Sequence, residues 1–151
     1  MSTILASIVL ILSGNQLVST QSIRAGGNVE PSAADFCNLF REANEYNCKA
    51  VRIDATYGLG IHMATFYNEA CLSRSGLHFV AKATFADHHD GAAALYKISK
   101  LLKRSRSNEA RVTVIAVFRT ENPAGSQKGD FARYTLEVER LLSLEAVKPP
   151  T

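Results

Sequence analysis

The sequence predicts a mainly β chain with two helices, its five strands closing into a small barrel. Three observations lead there. Period-two alternation recurs along the chain, most clearly from Val51 to Leu59, and that period buries one face of a strand. A single amphipathic helical stretch, about Ala92 to Lys103, falls between the third and fourth of five such strands. The first strand also runs into Gly58 and Gly60 near its far end. A strand shared by both halves of a small barrel must bend, and glycine or a bulge allows it.

The elements follow in order. Positions 23–34, with Gly26, Gly27 and Pro31, read as a linker. A helix opens at Pro31 or Ser32, has Asp35 in its first turn and runs to about Glu45; Phe36, Leu39, Phe40 and Ala43 give it one apolar face. Tyr46-Asn47 turns the chain. In the first strand Val51, Ile53, Ala55, Tyr57 and Leu59 alternate with Arg52, Asp54, Thr56 and Gly58. Ile61 to Ala70 is a second, less regular strand, and Leu77 to Phe85 a third. Asp90 is placed to cap the next helix, whose Leu95, Ile98 and Leu102 face one way. "VTVIAVF" within Arg111 to Thr120 is a nearly continuous apolar central strand, and Tyr134, Leu136 and Val138 start a fifth that runs on to Leu144. The order after the first helix is β-β-β-α-β-β, the connectivity of an OB-like five-stranded Greek-key barrel. The competing arrangement makes Gly58 to Gly60 a plain hairpin turn in an open α+β sheet. The domain spans 35–147, and 148–151 is an irregular tail.

With 151 residues, 46% hydrophobic and 21% charged, the chain suits one domain with a real core. A net charge of +3 is too mild to imply nucleic acid by itself. Positions 1–22 carry no charged side chain, and Ile4 to Leu12 are apolar but for Ser7. These nine residues are far short of the ~20 that cross a bilayer, so no transmembrane span is expected in the mature chain. They suit the apolar region of a secretory signal peptide instead. Export would place the chain in the periplasm or outside the cell, where cysteines oxidise. The cysteines are Cys37, Cys48 and Cys71, so at least one stays unpaired in a monomer. A Cys37–Cys71 bridge would tie the first helix to a strand end. Spacing leaves the connectivity open, and Cys48 reads as a buried or turn-adjacent free thiol.

The chain resembles a group of small exported bacterial proteins with an OB-like barrel and no characterised function. The match is carried by Cys37, Leu39 and Phe40 in the helix, by Tyr46-Asn47-Cys48-Lys49 in the turn, and by Val51, Ile53 and Ala55 in the strand. Gly60-Ile61-His62, Cys71, "RVTVIAVF" and Gly129 with "RYTLEVERL" continue it, over roughly Asp35 to Val147. Cys48 stands where the pattern has a turn glycine, Ala55 and Ala116 where it has strand glycines, and His62 where it has a glutamate. The resemblance implies a fold and an exported location, and no chemistry.

Candidate sites are few. His88-His89 between Asp87 and Asp90 supplies metal-ligating residue types. A site needs three or four converging ligands, however, and a polar loop capping the next helix explains them better. His62 and His78 are single strand residues. No phosphate loop occurs, since "GSQKG" lacks the strand and helix around it. Glu137 and Glu139 mark a solvated strand side. No catalytic residue, metal ligand or cofactor is assigned. The basic run is the better lead: Lys97, Lys100, Lys103 and Arg104, with Arg106 and Arg111 following, would draw an anionic ligand, nucleic acid or an anionic membrane surface. An ordinary solvated helix face is the plainer explanation. Tyr57, Phe66, Tyr67 and Phe79 are the aromatics available for stacking, though alternation sends Tyr57 and Phe79 to the core.

The expectation is a non-catalytic exported protein that binds an envelope protein or glycan. Its contacts are expected near the second and third strands and the loops beside them. The alternatives are a cytoplasmic nucleic-acid-binding domain of OB type and a small Cys- or His-dependent enzyme.

Overall fold

Helix α1 (Phe36–Arg41) starts where Asp35 lets it: the Asp35 carboxylate accepts hydrogen bonds from the backbone N–H groups of Cys37 and Asn38 at 2.9 and 3.1 Å. The structure is a computed structural model that describes residues 30–72, 76–121 and 134–147. Positions 1–22, the linker up to 29, the connection at 122–133 and the tail lie outside the described residues. The helix expected from Pro31 or Ser32 therefore begins later. Ser32 to Ala34 are drawn into β pairing instead: Ala34 N–H donates to Arg52 O at 2.9 Å and Arg52 N–H to Ser32 O at 3.2 Å. The helix also breaks at Glu42, and α2 (Ala43–Tyr46) follows as a separate turn. There are thus three helices among the described residues, not two.

The strands are β1 (Lys49–Leu59), β2 (Ala64–Leu72), β3 (His78–Phe85), β4 (Glu109–Thr120) and β5 (Tyr134–Ala146), with α3 (His89–Ser105) between β3 and β4. They close in a ring in the order β1-β2-β3-β5-β4 and back to β1. All neighbours are antiparallel except β3 and β5, which run parallel from Lys82↔Thr135 to Phe85↔Val138. Strand β1 does serve two neighbours. It pairs with β4 from Lys49 to Gly58 and with β2 only from Thr56 to Leu59. Ser32 to Ala34 occupy the edge of β1 that β2 leaves free.

Gly58 and Gly60 coincide with no break in register. Register breaks fall between β2 and β3 and between β4 and β5, with none along β1. On β5, Thr113↔Ser143 is followed by Val114↔Leu141, and Ile115↔Arg140 by Ala116↔Val138, so Leu142 and Glu139 are the extra residues of two bulges. Gly58 has a different use: a Cβ there would stand 3.3 Å from the Tyr67 ring. Gly60 belongs to the β1–β2 turn, its N–H donating to Met63 O at 3.0 Å. This turn displaces the start of β2 from Ile61 to Ala64.

Two lids complete the core. At one mouth of the ring Phe40 stacks on Phe79, with centroids 4.9 Å apart, and meets Tyr134 and Phe118 edge-on at 4.9 and 5.9 Å. At the other, α3 joins the end of β3 to the start of β4 and buries Ala94, Ile98 and Leu102. Leu95, expected on that face, is 42% exposed, because the i, i+4 row that meets the ring runs through Ala94. The N-cap is His88, whose Nδ1 accepts the Gly91 N–H at 3.3 Å, and not Asp90, which sits in the first turn. The fully buried side chains Phe66, Phe118, Leu39, Ile53, Ile98 and Leu136 fill the space between the lids. The Cys37–Cys71 disulfide, with Cα atoms 5.3 Å apart, ties α1 to β2.

Candidate functional site

Beside the buried row of α3, Lys97, Lys100, Leu101 and Arg104 share a helix face that borders β5, since residues three and four apart lie on one side of a helix. Across from them the second bulge of β5 sets two leucines side by side, and Leu142 is left 38% exposed. The result is a groove of about 370 Å³ between α3 and β5. Leu101, Leu141, Leu142 and Leu144 form its floor, and Lys97, Lys100 and Arg104 its rim; no acidic residue lines it. Lys97, Lys100, Lys103 and Arg104 are all exposed, and among the described residues none has an acidic partner within ion-pair distance. Lys100 Nζ lies 5.9 Å from the centroid of the Tyr96 ring, itself 65% exposed. Three of the four expected cations thus come together over an apolar floor, and Lys103 lies on the same helix outside the groove.

A second groove, also about 370 Å³, has Ser143 in common with the first. It is acidic, with Asp54, Glu69, Glu109 and Glu145 against Arg111. Within it Ser143 Oγ donates to Thr113 Oγ1 at 2.7 Å, and Thr113 Oγ1 donates to Asp54 Oδ1 at 2.6 Å. This chain of hydroxyls crosses β5, β4 and β1 and lies in solvent, so it is a set of cross-strand pairs. Beside it Tyr67 Oη donates to Glu109 Oε1 at 2.7 Å. Burial, that hydrogen bond and the charges of Glu109 and Glu69 raise the Tyr67 phenol well above its ordinary value. Burial alone raises that of Tyr57.

The remaining expectations resolve simply. Cys37 and Cys71 are bonded to each other, and Cys48 is free, turn-adjacent and exposed. Asp35, Cys37 and Cys71 converge, but the bond occupies both sulfurs and the carboxylate caps α1. His88 caps α3, and His89 Nδ1 meets Asp90 Oδ1 at 3.1 Å. The hydrogen bond from His89, with a smaller electrostatic pull from its surroundings, holds the Asp90 carboxyl below its usual value. The two rings thus serve separate local bonds. His62 and His78 are exposed. Glu137 pairs with Arg119 at 3.4 Å.

The aromatics named for stacking are mostly inward. Tyr57 and Phe66 are buried, Phe79 packs against the core, and Tyr67 is bound to Glu109. Near β2 and β3 the exposed side chains include large apolar ones: Leu59, Ile61 and Met63 around the β1–β2 turn, Leu72 and Leu77 around the next connection. Sequence reasoning missed the leucine floor. Its signal was present in "RLLSL", where adjacent leucines interrupt the alternation of β5. The chain matches no known protein family, and no curated protein or solved structure is similar to it. No helix among the described residues is long and apolar enough to cross a membrane.

Proposed function

We propose that this is a non-catalytic, exported binding protein of the bacterial envelope, built on an OB-like Greek-key barrel. The ring order β1-β2-β3-β5-β4, the parallel β3–β5 pair and the helix between β3 and β4 support the barrel reading. The observation that carries the location is the Cys37–Cys71 bridge. A bridge between a short helix and a strand end is kept where thiols oxidise and is reduced in most cytosols. The apolar start of the chain and the resemblance to small exported proteins support the same location. Binding is favoured over catalysis because the open grooves present charge and leucine at the surface. The hydroxyl chain that ends at Asp54 has no imidazole in it to act as a base.

The test is the intact mass of the chain recovered from a bacterial host by cell fraction, alkylated before and after reduction. The expected product is exported, lacks about the first 22 residues, takes one alkyl group at Cys48, and takes two more only after reduction. A full-length cytoplasmic product with three reactive thiols would overturn the reading.

A further inference from the structure

The groove between α3 and β5 has a chemistry that narrows its ligand. From Gly91 to Asn108 there are five cationic residues and no acidic one. Lys97, Lys100 and Arg104 stand around leucines, so their aliphatic stems can lie along the floor while the charged ends reach outward. The exposed apolar side chains at this place are Leu142 of the β5 bulge and, next to Lys100, Tyr96. Cations above a leucine floor, with a tyrosine at the rim, match an interface that is anionic outside and apolar just beneath. A nucleic-acid strand fits less well. Single-strand binding draws on several aromatic platforms, whereas Tyr57 and Phe66 are buried and Phe79 and Phe85 pack against the core. The acidic groove that shares Ser143 is a poor partner for any anion, so of the two grooves only the one beside α3 suits one.

We propose that the α3–β5 face docks on an anionic lipid surface, with Lys97, Lys100, Lys103 and Arg104 meeting head groups and Leu142 entering the apolar boundary. The proposal rests on the envelope reading and specifies what the envelope component is. Binding is peripheral and reversible, and each cation contributes about fivefold in affinity near such a surface.

The experiment is co-sedimentation of the full chain with two vesicle types, phosphatidylcholine alone and phosphatidylcholine mixed equally with phosphatidylglycerol. Wild type is expected to favour the mixed vesicles and to be released by salt. Lys97→Glu/Lys100→Glu/Arg104→Glu should weaken mixed-vesicle binding about 100-fold or more. Lys97→Arg/Lys100→Arg should retain it, and Leu142→Ser should weaken what survives at high salt. The neutral vesicles subtract any contribution from the apolar first residues. The Cys37–Cys71 bridge and circular dichroism check that each variant folds. Equal binding to both vesicle types would overturn the proposal, as would an unaffected triple variant. Tighter binding to single-stranded oligonucleotide than to mixed vesicles at the same salt would overturn it in favour of nucleic acid. The two readings fail separately. Absent vesicle binding in a protein exported with its bridge rejects the docking face alone, whereas a cytoplasmic product with three free thiols rejects the envelope reading whatever the vesicles show.

Discussion

Cys48 has a backbone φ of 61°, in the left-handed region that glycine occupies without cost and a β-carbon does not. The turn is needed there because Cys48 N–H donates to Phe118 O at 2.8 Å, starting the β1–β4 ladder. Asn47 holds the same corner by accepting from Thr120 N–H at 3.0 Å. Glycine at this position keeps both bonds. Cys48→Gly should therefore stabilise the fold by about 0.5–1 kcal/mol, the left-handed penalty less the extra freedom glycine gives the unfolded chain. A urea midpoint that falls would refute this. Tyr57 and Tyr67 make the second prediction at this scale. Their pKa values are raised on folding, so the stability they contribute is fully present below the unfolded value of 10.0 and is lost as pH rises through the folded values. Tyrosinate absorbance should show both phenols ionising late, and Tyr67→Phe should remove one of the late steps. Two late steps in that variant would contradict the assignment.

Helix α3 shows how one small residue sets an element. A Cβ on Gly91 would overlap the carbonyl oxygen of Ala86 and come within 2.9 Å of its nitrogen. Ala86 cannot easily give way, since its N–H is bonded to Val138 O at 2.9 Å. Helix propensity favours alanine over glycine by about 1 kcal/mol. The contact opposes it, and forced overpacking costs about 1–3 kcal/mol. Gly91→Ala should then lower stability by up to about 2 kcal/mol, measured by urea unfolding; a rise would mean that propensity decides and the α3 start can shift. Strand β5 carries the complementary lesson. Its bulges at Glu139 and Leu142 supply the coil that ring closure needs, and the second also places the leucine floor under α3.

On the scale of the whole molecule, the bridge and the two lids act together. Cys37 and Cys71 are 34 positions apart, and closing a loop of that size restricts the unfolded chain by about 3–4 kcal/mol in the chain-entropy account. The bridge also holds α1 where Phe40 fills the mouth among Phe79, Phe118 and Tyr134. Reduction, or Cys37→Ser with Cys71→Ser, should lower the unfolding free energy by an amount of that order, with a lower urea midpoint and a higher m-value as the unfolded chain expands. A shift confined to a few tenths of a kcal/mol would show that aromatic packing alone fixes the lid.

Much of this architecture was legible in the sequence, because its signals are local. Val51, Ile53, Ala55 and Tyr57 alternate on the page and are buried together in β1, since side-chain direction repeats every two residues. The helix between the third and fourth strands and the basic face of α3 followed from periodicity and charge in the same way, whereas the turn expected at Tyr46-Asn47 falls one residue later, at Asn47-Cys48. The tertiary structure decided what depends on distant neighbours. Whether Ser32 to Ala34 become helix or pair with Arg52 turns on a free edge of β1. Whether Ala94 or Leu95 meets the ring turns on which face of α3 packs against the strands, and the row that does is Ala94, Ile98 and Leu102. The register bulges lie on β5 and not at Gly58, because they form where the partner strand's register allows them. Cys37 and Cys71 met because α1 and β2 share one mouth of the ring. The sequence determined the strands, their order and the positive helix face, all set within a few residues. The ring, the bridge and the leucine floor beneath that face came from pairings between residues far apart, which no local period encodes.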